Sequence, residues 1–365
     1  MEYRYLGRTG IKVSALCLGL MTFETGYSKN VTREKAYAIL DAYVENGGNF
    51  FDMADNYPGV ESFFGGWLKD RKDRDQLVIA SKVRFPSGKN GPNDVGLTRK
   101  HIIQAIDNCL ESTGAGYIDL YQAHCWDDKT PIEETLSVFD DLIRAGKIRY
   151  AGASNFTGWH IAKAAAASSA AGGRAFFQSY QMQYNLLERS VELDVIPAAA
   201  DCGASVNAWS PLAAGWLSGK YERGKKPPEN SRMSNAASSD EEWNAILKTN
   251  LSGQIPHPVR ISDENAVATE EYELRNRRRW LIIDAVGDVA RAYEKTYSQI
   301  ALAWLLHRPG LCSAVIGVSR MEQLLDNLGA LDIVLEKREK AWLDSVSLPI
   351  KAYPHDFLEK YGVWR

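Results

Sequence analysis

Four side chains in this 365-residue chain have the types and the placement for proton chemistry: Asp52, Tyr57, Lys82 and His124. Each stands at or just beyond the point where an apolar run stops. A free tyrosine hydroxyl, with a pKa of about 10, holds its proton too tightly to release it readily at neutral pH. An ammonium beside it stabilises the phenolate and brings that pKa down towards the working range. Lys82 suits that role, and Asp52 is the anion that keeps the ammonium charged and in place. Asp52 needs such a partner in any case, because an acid at the exit of a buried strand is costly unless a cation meets it. His124 supplies a hydrogen bond that orients a carbonyl oxygen beside the Tyr57 hydroxyl. A polarised carbonyl next to a proton donor is arranged to accept a hydride. No H-E-x-x-H or H-x-H spacing offers a metal-ligand pair. The hydride donor expected is therefore an organic cofactor, and no metal.

The elements that must position these groups alternate regularly. Arg4-Tyr5-Leu6 and Ile11-Lys12-Val13 flank a short Gly7-Arg8-Thr9-Gly10 turn and read as a hairpin. Strands then follow over 14–19, 49–54, 76–82, 118–124, 148–154, 175–181, 205–210 and 312–317. Helices are expected over 32–46, 60–70, 98–112, 132–145, 159–169, 191–202, 280–292, 298–307 and 322–330. The second strand, carrying Phe50-Phe51-Asp52, is expected to end at Met53 or Ala54. Parallel neighbours need a helical crossover, so eight such units close most naturally into an α/β (β/α)8 TIM barrel. A doubly wound open sheet is the runner-up, and no G-x-G-x-x-G after the first strand supports it. In such a barrel the C-terminal strand ends carry the active site. Collected there are Asp52 with Tyr57 beyond it, Lys82, His124, Ser154-Asn155, Gln181 and Trp209-Ser210.

Bulk properties narrow the partners. A net charge of −3 gives no electrostatic case for nucleic acid or an anionic membrane. No apolar run approaches the roughly 20 residues that span a bilayer, and Met1 to Tyr5 holds no apolar signal core. Five scattered cysteines without C-x-x-C spacing fit a reducing compartment, so a cytoplasmic location is expected. The expected organisation is one domain over 1–365. It comprises a hairpin at 1–13, a long insertion after strand seven at 220–279 and a C-terminal helix and tail at 336–365. The insertion is rich in Pro, Ser, Asn and charge and reads as a lid or as a surface or subunit-contact segment. The basic run 275–279 within it reads as a solvated helix face.

The motifs resemble the aldo-keto reductase family over nearly the whole length. The resemblance rests on the opening Y-R-Y-L-G-R-T-G-I-K-V-S, then F-F-D-M-A-D-N-Y, A-S-K at Lys82, Y-Q-A-H at His124 and G-A-S-N ending at Asn155. It continues with Q-M-Q-Y-N-L-L-E-R from Gln181, W-S-P-L-A-A-G-W-L-S-G-K-Y from Trp209 and I-G-V-S-R-M-E-Q-L-L-D-N from Ile316. It implies that the hairpin plugs the barrel floor and that Tyr57 is the general acid, tuned by Lys82 and Asp52, with His124 orienting the substrate.

The resemblance also implies a dinucleotide site. Ser154, Asn155 and Gln181 match residues that bond a nicotinamide carboxamide, Trp209 matches the aromatic stacked on the ring, Met21 falls in the loop that flanks the nicotinamide ribose, and Asp52 is a further cofactor-binding residue. Ser210 and Leu212 match pyrophosphate contacts. Gly317, Ser319, Arg320, Gln323 and Asn327 match the turn and helix start that hold the adenosine half. A glycine turn into a helix N-terminus offers N–H groups to phosphate, and an arginine forks onto a 2′-phosphate. The family often carries a lysine where this chain has Val318. NADP(H) is the cofactor expected, with NAD(H) not excluded. Phe23, Tyr27, Phe85 and Trp126 are the expected substrate pocket. The implied activity is reversible reduction of a small-molecule aldehyde or ketone to an alcohol. The alternative is a redox-sensing regulatory subunit of the potassium-channel beta type, with little turnover. Homo-oligomers are compatible with either.

Overall fold

The computed structural model describes residues 1–23, 31–86, 91–173, 175–223, 225–229, 231, 234 and 270–362. Two short antiparallel strands, β1 (Tyr3–Tyr5) and β2 (Lys12–Ser14), form the N-terminal hairpin. Eight parallel strands follow: β3 (Leu16–Gly19), β4 (Phe50–Asp52), β5 (Val78–Val83), β6 (Ile118–Ala123), β7 (Ile148–Ser154), β8 (Phe177–Gln183), β9 (Ser205–Trp209) and β10 (Leu311–Ile316). They close into a barrel in chain order, with β10 completing the ring against β3. The closed ring rules out the doubly wound sheet.

Helices α1 (Arg33–Glu45), α2 (Val60–Leu68), α3 (Arg99–Thr113), α4 (Ile132–Arg144), α5 (Gly158–Ala170) and α6 (Val195–Cys202) link successive strands from β3 to β9. Helices α7 (Glu270–Tyr293) and α8 (Tyr297–Leu306) lead into β10. Helices α9 (Met321–Leu328), α10 (Lys337–Ser347) and α11 (His355–Tyr361) follow it. Threonines set several helix starts. Thr32, Thr98, Thr157 and Thr296 each accept a hydrogen bond from the backbone N–H three residues on, satisfying a donor the helix itself leaves open.

Strands such as β3, β4 and β10 read as mainly apolar runs because both faces are covered, whereas β8 carries Gln178, Ser179, Gln181 and Gln183. Leu16, Phe51, Ile79 and Tyr121 face the helical layer, whereas Cys17, Phe50, Val78, Ala80 and Leu120 form a separate cluster inside the ring. Leu6 and Val13 of the hairpin belong to that inner cluster, so the hairpin closes the barrel floor. Gly7 allows the close approach. Its φ is 57°, and an added Cβ would lie 2.3 Å from the Gln178 carbonyl oxygen.

Some boundaries differ from expectation. Strand β4 ends at Asp52, yet the chain keeps bonding to β5, with Met53 N–H on the Ala80 carbonyl and Asp55 N–H on that of Lys82. A 3₁₀ turn at Ser190–Glu192 precedes α6, so that helix starts at Val195. Helix α7 begins at Glu270, which makes the end of the 220–279 stretch helical. Arg279 in it is not solvated. It is 2% exposed, with its guanidinium 4.4 Å from the centre of the Trp216 ring. Most of the remaining stretch, and any lid formed by it, lies outside the described residues.

Candidate active site

Asp52 is the last residue of β4, and Lys82 stands one residue before the end of β5. Adjacent parallel strands bring them together, and the Lys82 Nζ donates to Asp52 Oδ2 at 2.6 Å and to the Met53 carbonyl at 3.0 Å. The pair is 1% and 4% exposed. Burial alone would drive the Lys82 proton off. The Asp52 carboxylate and Tyr57 outweigh it, and the pKa of Lys82 stands above the ordinary lysine value. The ammonium lies 5.3 Å from the centre of the Tyr57 ring. His124, one residue past β6, stands edge-on to Tyr57 with ring centres 6.0 Å apart, and edge-on to Phe85 at 4.9 Å. Burial, then Lys82 and Arg84, hold its pKa well below the ordinary histidine value, so His124 is neutral at pH 7. The four residues expected to act together are thus one cluster at the C-terminal barrel mouth.

The ends of β7, β8 and β9 form a second linked group. Ser154 Oγ donates to the Gln181 carbonyl at 2.7 Å, and Asn155 Nδ2 donates to the His124 carbonyl at 2.9 Å and to Ser154 Oγ at 3.0 Å. Trp209 Nε1 donates to Asn155 Oδ1 at 3.1 Å. Among the described residues, five non-glycine positions have positive φ, and four of them are Asn155, Ser210, Ala213 and Ala214 on this rim. Such strain concentrates where a ligand is clamped.

The third group joins two distant stretches. Thr22, beside Met21 in a 3₁₀ turn after β3, donates to the Val318 carbonyl at 2.9 Å. Gly317 is exposed, Arg320 stands exposed at the N-cap of α9, and Leu212 and Asn327 pack into the molecule. The Ser319 N–H is not free for phosphate, because Gln323 Oε1 accepts it at 2.8 Å. Val318 is buried and offers no charge.

One of the expected pocket residues falls elsewhere. Phe23 is a core residue, 1% exposed and packed on Phe63, because the chain turns inward after the 3₁₀ turn. Tyr27 lies outside the described residues. Phe85 borders His124, and Trp126 is fixed by stacking on His160 at 4.1 Å.

Three features escaped the sequence. Lys220 lies over the loop after β9, with Nζ 2.5 Å from where a Cβ on Gly215 would stand. The G-K-Y that ends the Trp209 motif was its only signal. Gln122 and Gln181 both donate to Asp52 Oδ1, at 3.4 and 2.7 Å. Finally, Asp55 and Glu61 are half-buried acids, the Asp55 carboxyl oxygens themselves buried, and Ser81 Oγ donates to Glu61 at 2.9 Å. Burial, then Glu61, push Asp55 up to about 8.

The profile of the Aldo/keto reductase family matches residues 15–348. The chain belongs to the aldo/keto reductase family. This aldo/keto reductase is 33% identical to the "Uncharacterized oxidoreductase YrpG" of Bacillus subtilis, over 95% of this chain and 96% of that protein. It is 33% identical to the "Putative voltage-gated potassium channel subunit beta" of Schizosaccharomyces pombe, over 92% and 89%. It is 30% identical to the "L-glyceraldehyde 3-phosphate reductase" of Escherichia coli, over 94% and 92%. Among the described residues of this oxidoreductase, no helix is long and apolar enough to cross a membrane.

Proposed function

We propose that this aldo/keto reductase uses NAD(P)H to reduce an aldehyde or ketone to an alcohol, reversibly, with Tyr57 as general acid. The observation that carries this reading is the buried Lys82–Asp52 pair with its ammonium 5.3 Å from the Tyr57 ring. A bound dihydronicotinamide supplies the hydride to the carbonyl carbon. Tyr57 gives its proton to the oxygen, and Lys82 stabilises the phenolate left behind until solvent reprotonates it. His124, being neutral, offers one N–H to the same oxygen and adds no charge.

The residues present fit the dinucleotide. The linked polar ends of β7 and β8 sit beside the Trp209 indole, Gly317 presents backbone without a side chain, and Lys220 and Arg320 bring positive charge to the phosphate side. Arg320 supports NADP(H), and uncharged Val318 leaves NAD(H) in contention. A panel of carbonyls run with NADPH and NADH side by side tests the reading. A steady-state rate of about 1 per second or more on some carbonyl is expected. The relative named as a potassium channel subunit beta supports a second reading, a redox-sensing subunit. Tight NADPH binding with negligible turnover across the panel is the result that would favour it.

A further inference from the structure

Strands β4 and β8 lie on opposite sides of the eight-stranded ring, so the Gln181–Asp52 hydrogen bond crosses the barrel mouth. Its polarity is fixed by chemistry. A carboxylate 2.6 Å from a buried ammonium is ionised, and an ionised carboxylate only accepts hydrogen bonds. The Gln181 atom 2.7 Å from Asp52 Oδ1 is therefore the amide nitrogen, although the two ends of an amide have the same shape. Oε1 is the end turned away, and it has no hydrogen-bond partner among the described residues. The neighbouring donors are already engaged. Ser154 Oγ is on the Gln181 carbonyl, Asn155 Nδ2 is on His124 and Ser154, and Trp209 Nε1 is on Asn155.

We propose that Asp52 is also a positioning residue for the nicotinamide subsite, locking the Gln181 amide so that the site offers Oε1 and selects a ligand that donates an N–H. The primary carboxamide of nicotinamide does so, and an acetyl group in its place only accepts. This rests on the dinucleotide reading above and adds to it a second task for Asp52, separate from holding Lys82.

The test is calorimetric binding of NADP⁺ and of its 3-acetylpyridine analogue to the whole protein, with no turnover involved. Wild type binds NADP⁺ about tenfold tighter or more, since the analogue leaves the Gln181 acceptor unmatched. Asp52→Asn lowers that ratio to about threefold or less, because an asparagine amide also donates and no longer dictates the orientation of Gln181. Gln181→Met does the same, and Tyr57→Phe keeps the wild-type ratio. A full ratio in Asp52→Asn overturns the inference alone, whereas no dinucleotide binding by wild type overturns the functional reading with it. Should Asp52→Asn not fold, the side-chain amide protons of Gln181, assigned by their loss in Gln181→Met, put the question to wild type. They are expected to be protected from exchange without cofactor, and exchange at the rate of an exposed amide overturns the inference.

Discussion

Asp52 and Asp55 are three residues apart in one stretch, both with buried carboxyl groups, and their fates are opposite. Asp52 meets an ammonium at 2.6 Å on one oxygen and two amides on the other, and it stays charged. Asp55 oxygens are buried, with the backbone N–H groups of Asn56 and Arg84 and the Glu61 carboxyl beside them but no cation bonded to them among the described residues, and they hold a proton up to about pH 8. Burial is common to both, so burial does not decide the charge. The partner does, and the partner is set by which way each side chain leaves the strand end. One acid faces the mouth, where Lys82 waits. The other faces Glu61, whose own pKa burial raises and which Ser81 and Cys109 bond.

The strongest way to break this contrast is to remove the cation. Lys82→Met leaves Asp52 buried without its ion partner and is expected to cost about 3–5 kcal/mol in urea unfolding. Turnover is expected to fall about 10²–10⁴-fold, as the tuning of Tyr57 goes with the charge.

Asp55→Asn is the matching change on the other side. The native Asp55 holds a proton that the unfolded chain releases near pH 4, so wild-type stability declines as pH rises from about 4 to about 8. The variant is expected to lose that decline, to match wild type near pH 4 and to exceed it at pH 8, as read by thermal unfolding across that range. Its turnover at pH 7 is expected within about threefold of wild type, because a neutral amide replaces a neutral acid. A large loss of activity would erase the contrast.

Glu61→Gln is the smallest of the three. Glu61 is the second cause of the raised Asp55 value, after burial, so the midpoint of the wild-type stability decline should move to lower pH while its size shrinks. No movement of the midpoint would show that burial acts alone.

These acids also mark how far the sequence could be read. The barrel was legible because strand-like and helix-like segments alternate eight times, and the strands from β4 to β9 each carry a polar residue at or just past the mouth end, even where, as in β8, the strand itself is largely polar. The helix starts at Thr32 and Thr98 were legible for a local reason, a capping side chain before a periodic run, whereas the caps at Thr157 and Thr296 lie ahead of the starts expected at 159 and 298. The Asp52–Lys82 pairing followed from adjacent strands. What did not follow were contacts between strands that are not neighbours. Gln181 reaches Asp52 across the ring, and a motif that places Gln181 on β8 carries no information about that distance. Asp55 and Asp52 look alike in F-F-D-M-A-D-N-Y, and only the fold separates them. Phe23 looked like a pocket aromatic beside Met21, and the inward turn after that residue sent it to the core. Lys220 belonged to a quoted motif, yet only the fold lays it over Gly215.

What the charged pair does is read out at Tyr57. The most direct measurement is the turnover number of Tyr57→Phe on a carbonyl that wild type reduces, taken with the NADPH dissociation constant of the same protein. The expected result is a fall in turnover of about 10²–10⁴-fold with the dissociation constant within about threefold of wild type. Turnover at the wild-type level would contradict it, and would leave Lys82 and Asp52 as a buried pair with no acid to tune.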